Sequence, residues 1–435
     1  MASTSATQLA ARIEDDIVAG RRSAGDALPP VRTHAEQLGI SPTTVAAAYR
    51  RLRERGLVVG KGRQGTLVAP PSNAMRVARI EVPDGVIDAS SGTPDPALLP
   101  SLGPALAAAA AQGDVRYGDA MIDPTLAAVG RAMFEFDGID ATHLAVTSGA
   151  MDAIERIIAA QGFRVGDRIA VEDPGHVPVH QLCRSAGLEL VAMPVDEAGV
   201  TVEGLRGALE RDVVAVIVTP RAQNPTGAAF TTERSNALSA LLAERPEVMV
   251  IQDDHAGAVS GAAFHPLSVA GARWAMIRSL GKSLGPDLRV ALVAADARTI
   301  DRLSIALSNG PGWVSRLLQR AAAWLLDDAD SQRVVADAAE RYRDRCDRLV
   351  ATLGHEGVPS TAPSGFNVWI PVEDEQAAVE ALRGIGVAAR AAAQWRITSP
   401  PAIRLTSWML TDGDIDRIAE VLGRLRRQRG FAPTM

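Results

Sequence analysis

Five short stretches of this chain are apolar from end to end or nearly so: L-A-V-T at 144–147, R-I-A-V-E at 168–172, V-V-A-V-I-V-T at 213–219, V-M-V-I-Q at 248–252 and V-A-L-V-A at 290–294. A strand with one wet face alternates apolar and polar residues, whereas an unbroken apolar run is covered on both faces. Ala-rich segments of helical length separate these runs. The pattern therefore predicts a mostly parallel sheet with helices on each side. With 435 residues the chain is too long for one ordinary core, and two or three domains are expected. In open sheets of this kind ligands sit at the carboxyl ends of the strands.

Four motifs lie at those ends. T-S-G-A-M-D-A-I follows the run at 144 and opens a helix, so the N–H groups after Gly149, those of Ala150 and Met151, can cradle an anion. N-P-T-G at 224–227 follows the run at 213, and Q-D-D-H at 252–255 ends the run at 248. S-L-G-K at 279–282 closes a further strand, with Arg289 seven residues on. Each motif alone is weak, because helix N-termini after strands are common; all four in order point to one site. Composition singles out the last. The chain has 43 arginines and only two lysines, Lys61 and Lys282. Either cation serves solubility, but only lysine can shed its proton and act as a nucleophilic amine.

Together these motifs resemble the aspartate-aminotransferase-type family of pyridoxal 5′-phosphate proteins (fold type I), from about residue 85 to 425. The resemblance implies that Lys282 joins the cofactor aldehyde covalently, that Asp253 pairs with the protonated ring nitrogen and that Asn224 hydrogen-bonds the ring oxygen. Gly149, Ala150, Met151, Ser279 and Arg289 would hold the phosphate, with Tyr117 of R-Y-G-D reaching it from a partner subunit. Arg404 in A-I-R-L-T matches the arginine that takes a substrate carboxylate; a structural ion pair is the other reading of it. The chain departs from the family at three places. His176 stands where an aromatic residue usually covers the ring, His255 where a tyrosine donates to the ring oxygen, and Ile122 where a glycine is common. Histidine can stack and donate, so cofactor binding is expected, and efficient transamination is not.

The first seventy residues differ in charge. They hold 10 basic and 6 acidic side chains, a net of +4; the whole chain is −6, so the remainder carries −10. A basic head on an acidic body is expected where one end meets a polyanion. Leu9, Ile13, Ile17 and Val18 have helical spacing, V-R-T-H-A-E-Q-L-G at 31–39 is a second short helix, and a third follows Ser41 as N-cap with Pro42 at its first position. Val45, Ala48, Tyr49 and Leu52 form its inward stripe. L-V-V-G-K-G-R-Q-G-T-L-V then reads as a hairpin with a basic, glycine-rich tip. Three helices and a hairpin describe a winged helix-turn-helix; a small helical cap with solvated charges fits the pattern alone equally well. G-D-A-L-P-P-V-R-T-H-A-E-Q-L-G-I-S-P-T-T-V-A-A-A-Y-R-R-L resembles the DNA-binding domain of GntR-type bacterial regulators across residues 7 to 69. That resemblance implies a phosphate contact from Arg32, groove contacts from Ser41, Thr43, Thr44 and Arg50, and a wing tip of Lys61, Arg63 and Gly65. Pro42 stands where the family usually has an arginine, so one direct contact is expected to be missing.

Residues 1–69 are thus expected to form the head, 70–85 a linker and 86–435 the body, with a large subdomain to about 327 and a long helix and small α/β subdomain from about 328. This organisation resembles the MocR subfamily of transcriptional regulators. It implies a homodimeric regulator that binds double-stranded operator DNA and senses pyridoxal phosphate, an amine or an amino acid, vitamin B6 metabolism being one such role. Two other functions fit the same parts: a working aminotransferase with a DNA-binding appendage, and a regulator whose body is only a scaffold. The start of the chain lacks the pattern of a signal peptide, no apolar run reaches the length of a membrane span, and Cys183 and Cys346 are isolated. A cytoplasmic protein without a metal site or disulfide framework is expected.

Overall fold

The computed structural model describes residues 5–54, 57–60, 65–68, 82–269 and 273–428. They form two compact units, Met1–Ile80 with Gln181–Glu189, and Glu81–His180 with Leu190–Met435. In the first, helices Ala6–Val18, Val31–Leu38 and Pro42–Glu54 precede strands Val58–Gly60 and Thr66–Val68, which pair antiparallel with Val58 opposite Val68. Ser5 opens the first helix with a reciprocal capping box to Gln8. The expected stripe of the third helix is buried in full: Val45, Ala48, Tyr49 and Leu52 meet Leu9, Ile13 and Ala35. This is the winged helix-turn-helix predicted from the sequence. The expected basic tip and most of the linker at 70–85 lie outside the described residues.

The second unit is built on an eight-stranded sheet in the order Leu144–Thr147, Ala291–Ala295, Trp274–Ser279, Met249–Asp254, Val213–Val218, Arg168–Asp173, Glu189–Asp196, Gly199–Val200. Four adjacent members, from Trp274–Ser279 to Arg168–Asp173, are parallel. Every residue of Leu144–Thr147, Met249–Asp254 and Ala291–Ala295 is buried, as the unbroken apolar runs require. Ala291–Ala295 runs antiparallel to both of its neighbours. Only eleven residues, 280–290, separate it from Trp274–Ser279, too little chain for the crossover that a parallel partner needs.

A smaller lobe follows the 27-residue helix Ala329–His355. It has a three-stranded antiparallel sheet, Asn367–Pro371, Ala402–Thr406 and Arg390–Ala391, covered by helices Glu375–Arg383 and Asp412–Gln428. Sequence pattern starts the large lobe at about residue 86, but Ile87–Asp88 pairs with Val387–Ala388 and Ala89 lies in the small lobe's core. A two-residue strand leaves no periodicity to read.

Candidate cofactor site of the aminotransferase-like body

The four motifs lie at the carboxyl ends of Leu144–Thr147, Val213–Val218, Met249–Asp254 and Trp274–Ser279, all on the same side of the sheet. Gly149 caps the helix Ala150–Gln161 with φ 100°, and a Cβ there would stand 2.7 Å from an Arg289 Nη2. Glycine is required by both the backbone angle and the close approach. Arg289 Nη2 donates to the Ser148 carbonyl at 2.8 Å, which brings its guanidinium to the start of that helix. Ser279 ends the strand beside them. The site thus gathers helix N–H groups and a cation, the parts of an anion cradle.

Lys282 Nζ donates to the Gly92 carbonyl at 2.7 Å and lies 5.5 Å over the Phe366 ring. Burial, and after it the Arg404 charge, pulls this amine down to about 8. An amine so placed is neutral far more often than an exposed lysine.

Asp253 is buried, and its Oδ1 has no hydrogen-bond partner. Burial first, then the charges of Asp254 and Glu172, lift its carboxyl to about 8. Its neighbour is treated oppositely: Arg221 grips Asp254 with Nε and Nη2 at 2.8 and 2.9 Å, and Arg278 Nε adds a third bond at 2.7 Å. Against the cost of burial these two arginines keep Asp254 ionised. A buried carboxyl left without a partner is expensive, so it marks a place where a donor is meant to arrive.

His176 and His255 lie nearly parallel, 7° apart in plane with centroids at 6.4 Å. Withdrawal from water lowers them to about 3 and about 4, so both rings are neutral. His176 Nδ1 meets Asn224 Nδ2 at 3.2 Å, and Asn224 Oδ1 accepts from Arg404 Nη1 at 3.0 Å. The amide donates to the ring, so Nδ1 accepts and the His176 proton is on Nε2. Arg404 also donates to the Ser90 carbonyl at 2.6 Å and stacks 4.7 Å from the Trp395 ring, while its Nε has no partner. Among the described residues no carboxylate makes an ion pair with it. Burial and the Arg390 charge lower it to about 9.

Among the sequence-predicted residues, His176 meets Asn224 and His255 and shares a small cavity with Asp253, Asn224 meets Arg404, and Gly92 lies against both Arg404 and Lys282. Gly149 and Arg289 meet at the start of the helix Ala150–Gln161, which has Met151 in its first turn, and Ser279 ends its own strand. Tyr117 is not brought there: it stands 94 % exposed, edge-on to Trp313 at 5.5 Å. Ile122 packs against the large-lobe core. Sequence pattern did not single out Gly92 or Trp395, whose surroundings carry no periodic signal. Nor did it use Glu172 and Asp173, although E-D-P-G-H, two carboxylates at the end of a buried run, was signal enough.

In the head, Arg32 and Thr43 are exposed and Thr44 half-buried. Ser41 Oγ accepts from Thr44 N at 3.1 Å and shares protons with the Thr43 and Thr44 hydroxyls at 2.7 and 2.8 Å. Arg50 is exposed, and Gly65 has φ 79°. Lys61 and Arg63 lie outside the described residues.

Residues 5–68 match the bacterial regulatory proteins of the gntR family, and residues 84–422 match aminotransferase class I and II. The vitamin B6 salvage pathway transcriptional repressor PtsJ of Salmonella typhimurium is 36% identical over 410 residues, 94% of this chain and 95% of that protein. The chain belongs to the MocR type of GntR regulators. The pyridoxine biosynthesis regulator PdxR of Corynebacterium glutamicum is 27% identical, covering 80% of this chain and 78% of its own. In fold, a kynurenine aminotransferase of Pyrococcus horikoshii superposes with a TM-score of 0.72 over 80% of this chain and 92% of its own, at 20% identity. As a member of this type the protein is a DNA-binding transcriptional regulator, and its body is of the pyridoxal-phosphate-binding class. The residues present fit that cofactor: an unpartnered buried carboxyl to accept from a ring nitrogen, a glycine-opened anion cradle for a phosphate and an amine with a lowered pKa for an aldehyde. Among the described residues no helix is long and apolar enough to cross a membrane.

Proposed function

We propose that the body holds pyridoxal 5′-phosphate at this site and that its occupancy, by the cofactor alone or with an amine or amino acid, sets the affinity of the head for operator DNA. When bound, the cofactor supplies an aldehyde for covalent capture of an amine and an electron-withdrawing ring. Lys282 is the residue that bonds the aldehyde, Asp253 meets the ring nitrogen, and the Ala150 and Met151 N–H groups, Ser279 and Arg289 hold the phosphate. His176 covers the ring, and Asn224 and His255 address the ring oxygen. Arg404 receives an effector carboxylate, which would offset the cost of a buried guanidinium lacking an ion-pair partner.

The observation that carries this reading is the unpartnered, buried Asp253 carboxyl, taken together with Lys282, one of only two lysines in the chain, whose amine burial pulls down to about 8. Regulation of vitamin B6 supply is the role we favour, because two relatives bear names of that kind. The protein is proposed to act in the cytoplasm as a homodimer, with the exposed Tyr117 serving the partner's phosphate. Operator binding with and without pyridoxal phosphate tests the proposal. A shift in affinity on adding the cofactor is expected, together with slow or no turnover of common amino acids. Brisk transamination with operator affinity indifferent to the cofactor would instead make the protein an enzyme with a DNA-binding appendage.

A further inference from the structure

A second carboxylate stands behind the site and has no role in it so far. Glu172, near the end of the strand Arg168–Asp173, is 5 % exposed. Thr219 donates to it twice, from N to Oε1 at 2.8 Å and from Oγ1 to Oε2 at 2.9 Å, and Gln223 Nε2 donates to Oε2 at 3.1 Å. These donors fix the carboxyl group in place. Glu172 and Asp253 line the same small cavity, together with His176, His180 and Thr219. No lysine or arginine is among the described residues lining it. The arginines closest in sequence role, Arg221 and Arg278, are engaged by Asp254. His180 uses Nε2 on the Glu172 carbonyl at 2.9 Å, not on the carboxylate.

Two acids near one another without a cation between them raise each other's affinity for protons. Burial lifts Glu172 to about 7 against the pull of its donors, and Glu172 in turn contributes to the rise of Asp253. The other titratable or charged groups around the pair are His176, His180 and Asp254, which is ion-paired with Arg221 and Arg278 and still raises Asp253 more than Glu172 does. His255, Lys282 and Arg404 act on His176.

We propose that Glu172 is a positioning residue for the cofactor ring: through the cavity it shares with Asp253, its negative charge sets how firmly the ring nitrogen keeps its proton. The proposal rests on the reading that this site takes pyridoxal phosphate. The proton balance is simple. A proton on Asp253 passes to the ring nitrogen, leaving a carboxylate and a pyridinium, and none enters from solvent. An ionised Glu172 adds one negative charge to that environment and makes the ring proton harder to lose. Removing the charge lets the ring proton go at lower pH.

The test measures pyridoxal phosphate dissociation constants on the full chain, by absorption of the bound cofactor, between about pH 6 and about pH 9. In Glu172→Gln the alkaline loss of affinity moves to lower pH by roughly one unit. Thr219→Val removes one donor from Glu172, leaves the acid protonated to higher pH, and shifts the same limb in the same direction by less. It also keeps the question decidable if the first variant does not fold. Profiles in both variants that keep the wild-type midpoint, even at weaker overall affinity, would mean that Glu172 only supports the structure. No binding by the wild type at any pH would remove the cofactor reading, and this proposal with it.

Discussion

Lys282 shows what burial does to one side chain. Its amine is pulled to about 8 by burial and by Arg404, so it is substantially unprotonated at a pH where an exposed lysine is fully charged. Borohydride treatment of the protein with pyridoxal phosphate should fix the cofactor to the peptide that contains Lys282. The yield should rise with pH and level off above about 8, not continue toward 10.5. Lys282→Ala should give no fixed cofactor while retaining part of the affinity through the phosphate cradle. Fixation at Lys61 instead, read by peptide mapping, would show that the buried amine is not the reactive one. Lysine scarcity made this residue legible in the sequence, as the strand-end motifs did for Asp253, Asn224 and Gly149. The same reasoning could not reach Trp395. Its contact with Arg404 joins two residues brought together by tertiary packing, and no local pattern encodes it. Glu172 differs: its place at the end of a buried run was legible in E-D-P-G-H, but its donors from Thr219 and Gln223 come from another strand's end and only the fold shows them.

At the scale of elements, one aspartate ties two loops. Asp173 accepts from Ile397 N at 2.8 Å, from Thr398 N and Oγ1 at 2.6 and 2.7 Å, and from Ser399 N and Oγ at 3.0 and 2.9 Å. Gly175 N reaches the Trp395 carbonyl at 3.0 Å. The turn that carries His176 is thereby fastened to the turn that carries Trp395. Burial pushes the Asp173 carboxyl up, but its donors outweigh burial and hold it below the usual range. Its contribution to stability is therefore full above the ordinary aspartate pKa and is lost only as pH falls through the lower, folded value. Asp173→Ala leaves these donors unanswered and should cost roughly 2–4 kcal/mol, seen as a lower midpoint in chemical unfolding and faster amide exchange at 397–399. An unchanged midpoint would mean that water replaces the carboxylate without cost. In the head, the exposed Arg32 and Thr43 separate two kinds of contact. Arg32→Ala should weaken binding to every operator and lower the salt slope by about one. Thr43→Ala should change base preference instead. Equal effects of both variants on all sequences would remove the groove assignment. These elements were largely legible, because buried strands and an amphipathic helix have periods. The short strand Ile87–Asp88 and the antiparallel turn of Ala291–Ala295 were not, since chain connectivity decides them.

For the molecule as a whole, a regulator needs the body's ligand to change how two heads meet DNA, and a dimer is the simplest device that does so. Coupling of this kind is typically about 1–3 kcal/mol, or roughly 5–150-fold in affinity. The body offers one residue whose placement bears on this. Tyr117 is 94 % exposed on its own chain, an unusual position for a tyrosine, with its ring edge-on to Trp313. If it completes the partner's phosphate site, the two halves of each site come from different chains. Mixed dimers then give an asymmetric answer. One chain carries Lys282→Ala and the other Tyr117→Ala. With Tyr117 acting across the dimer, one site loses both residues and the other keeps both, so half the sites bind and fix cofactor as the wild type does. With Tyr117 acting within its own chain, every site lacks one residue and none is intact. Borohydride-fixed cofactor per mixed dimer, titrated against cofactor concentration, distinguishes the two. We expect one fixing site of wild-type affinity per mixed dimer, and one fixing site of weakened affinity would confine Tyr117 to its own subunit.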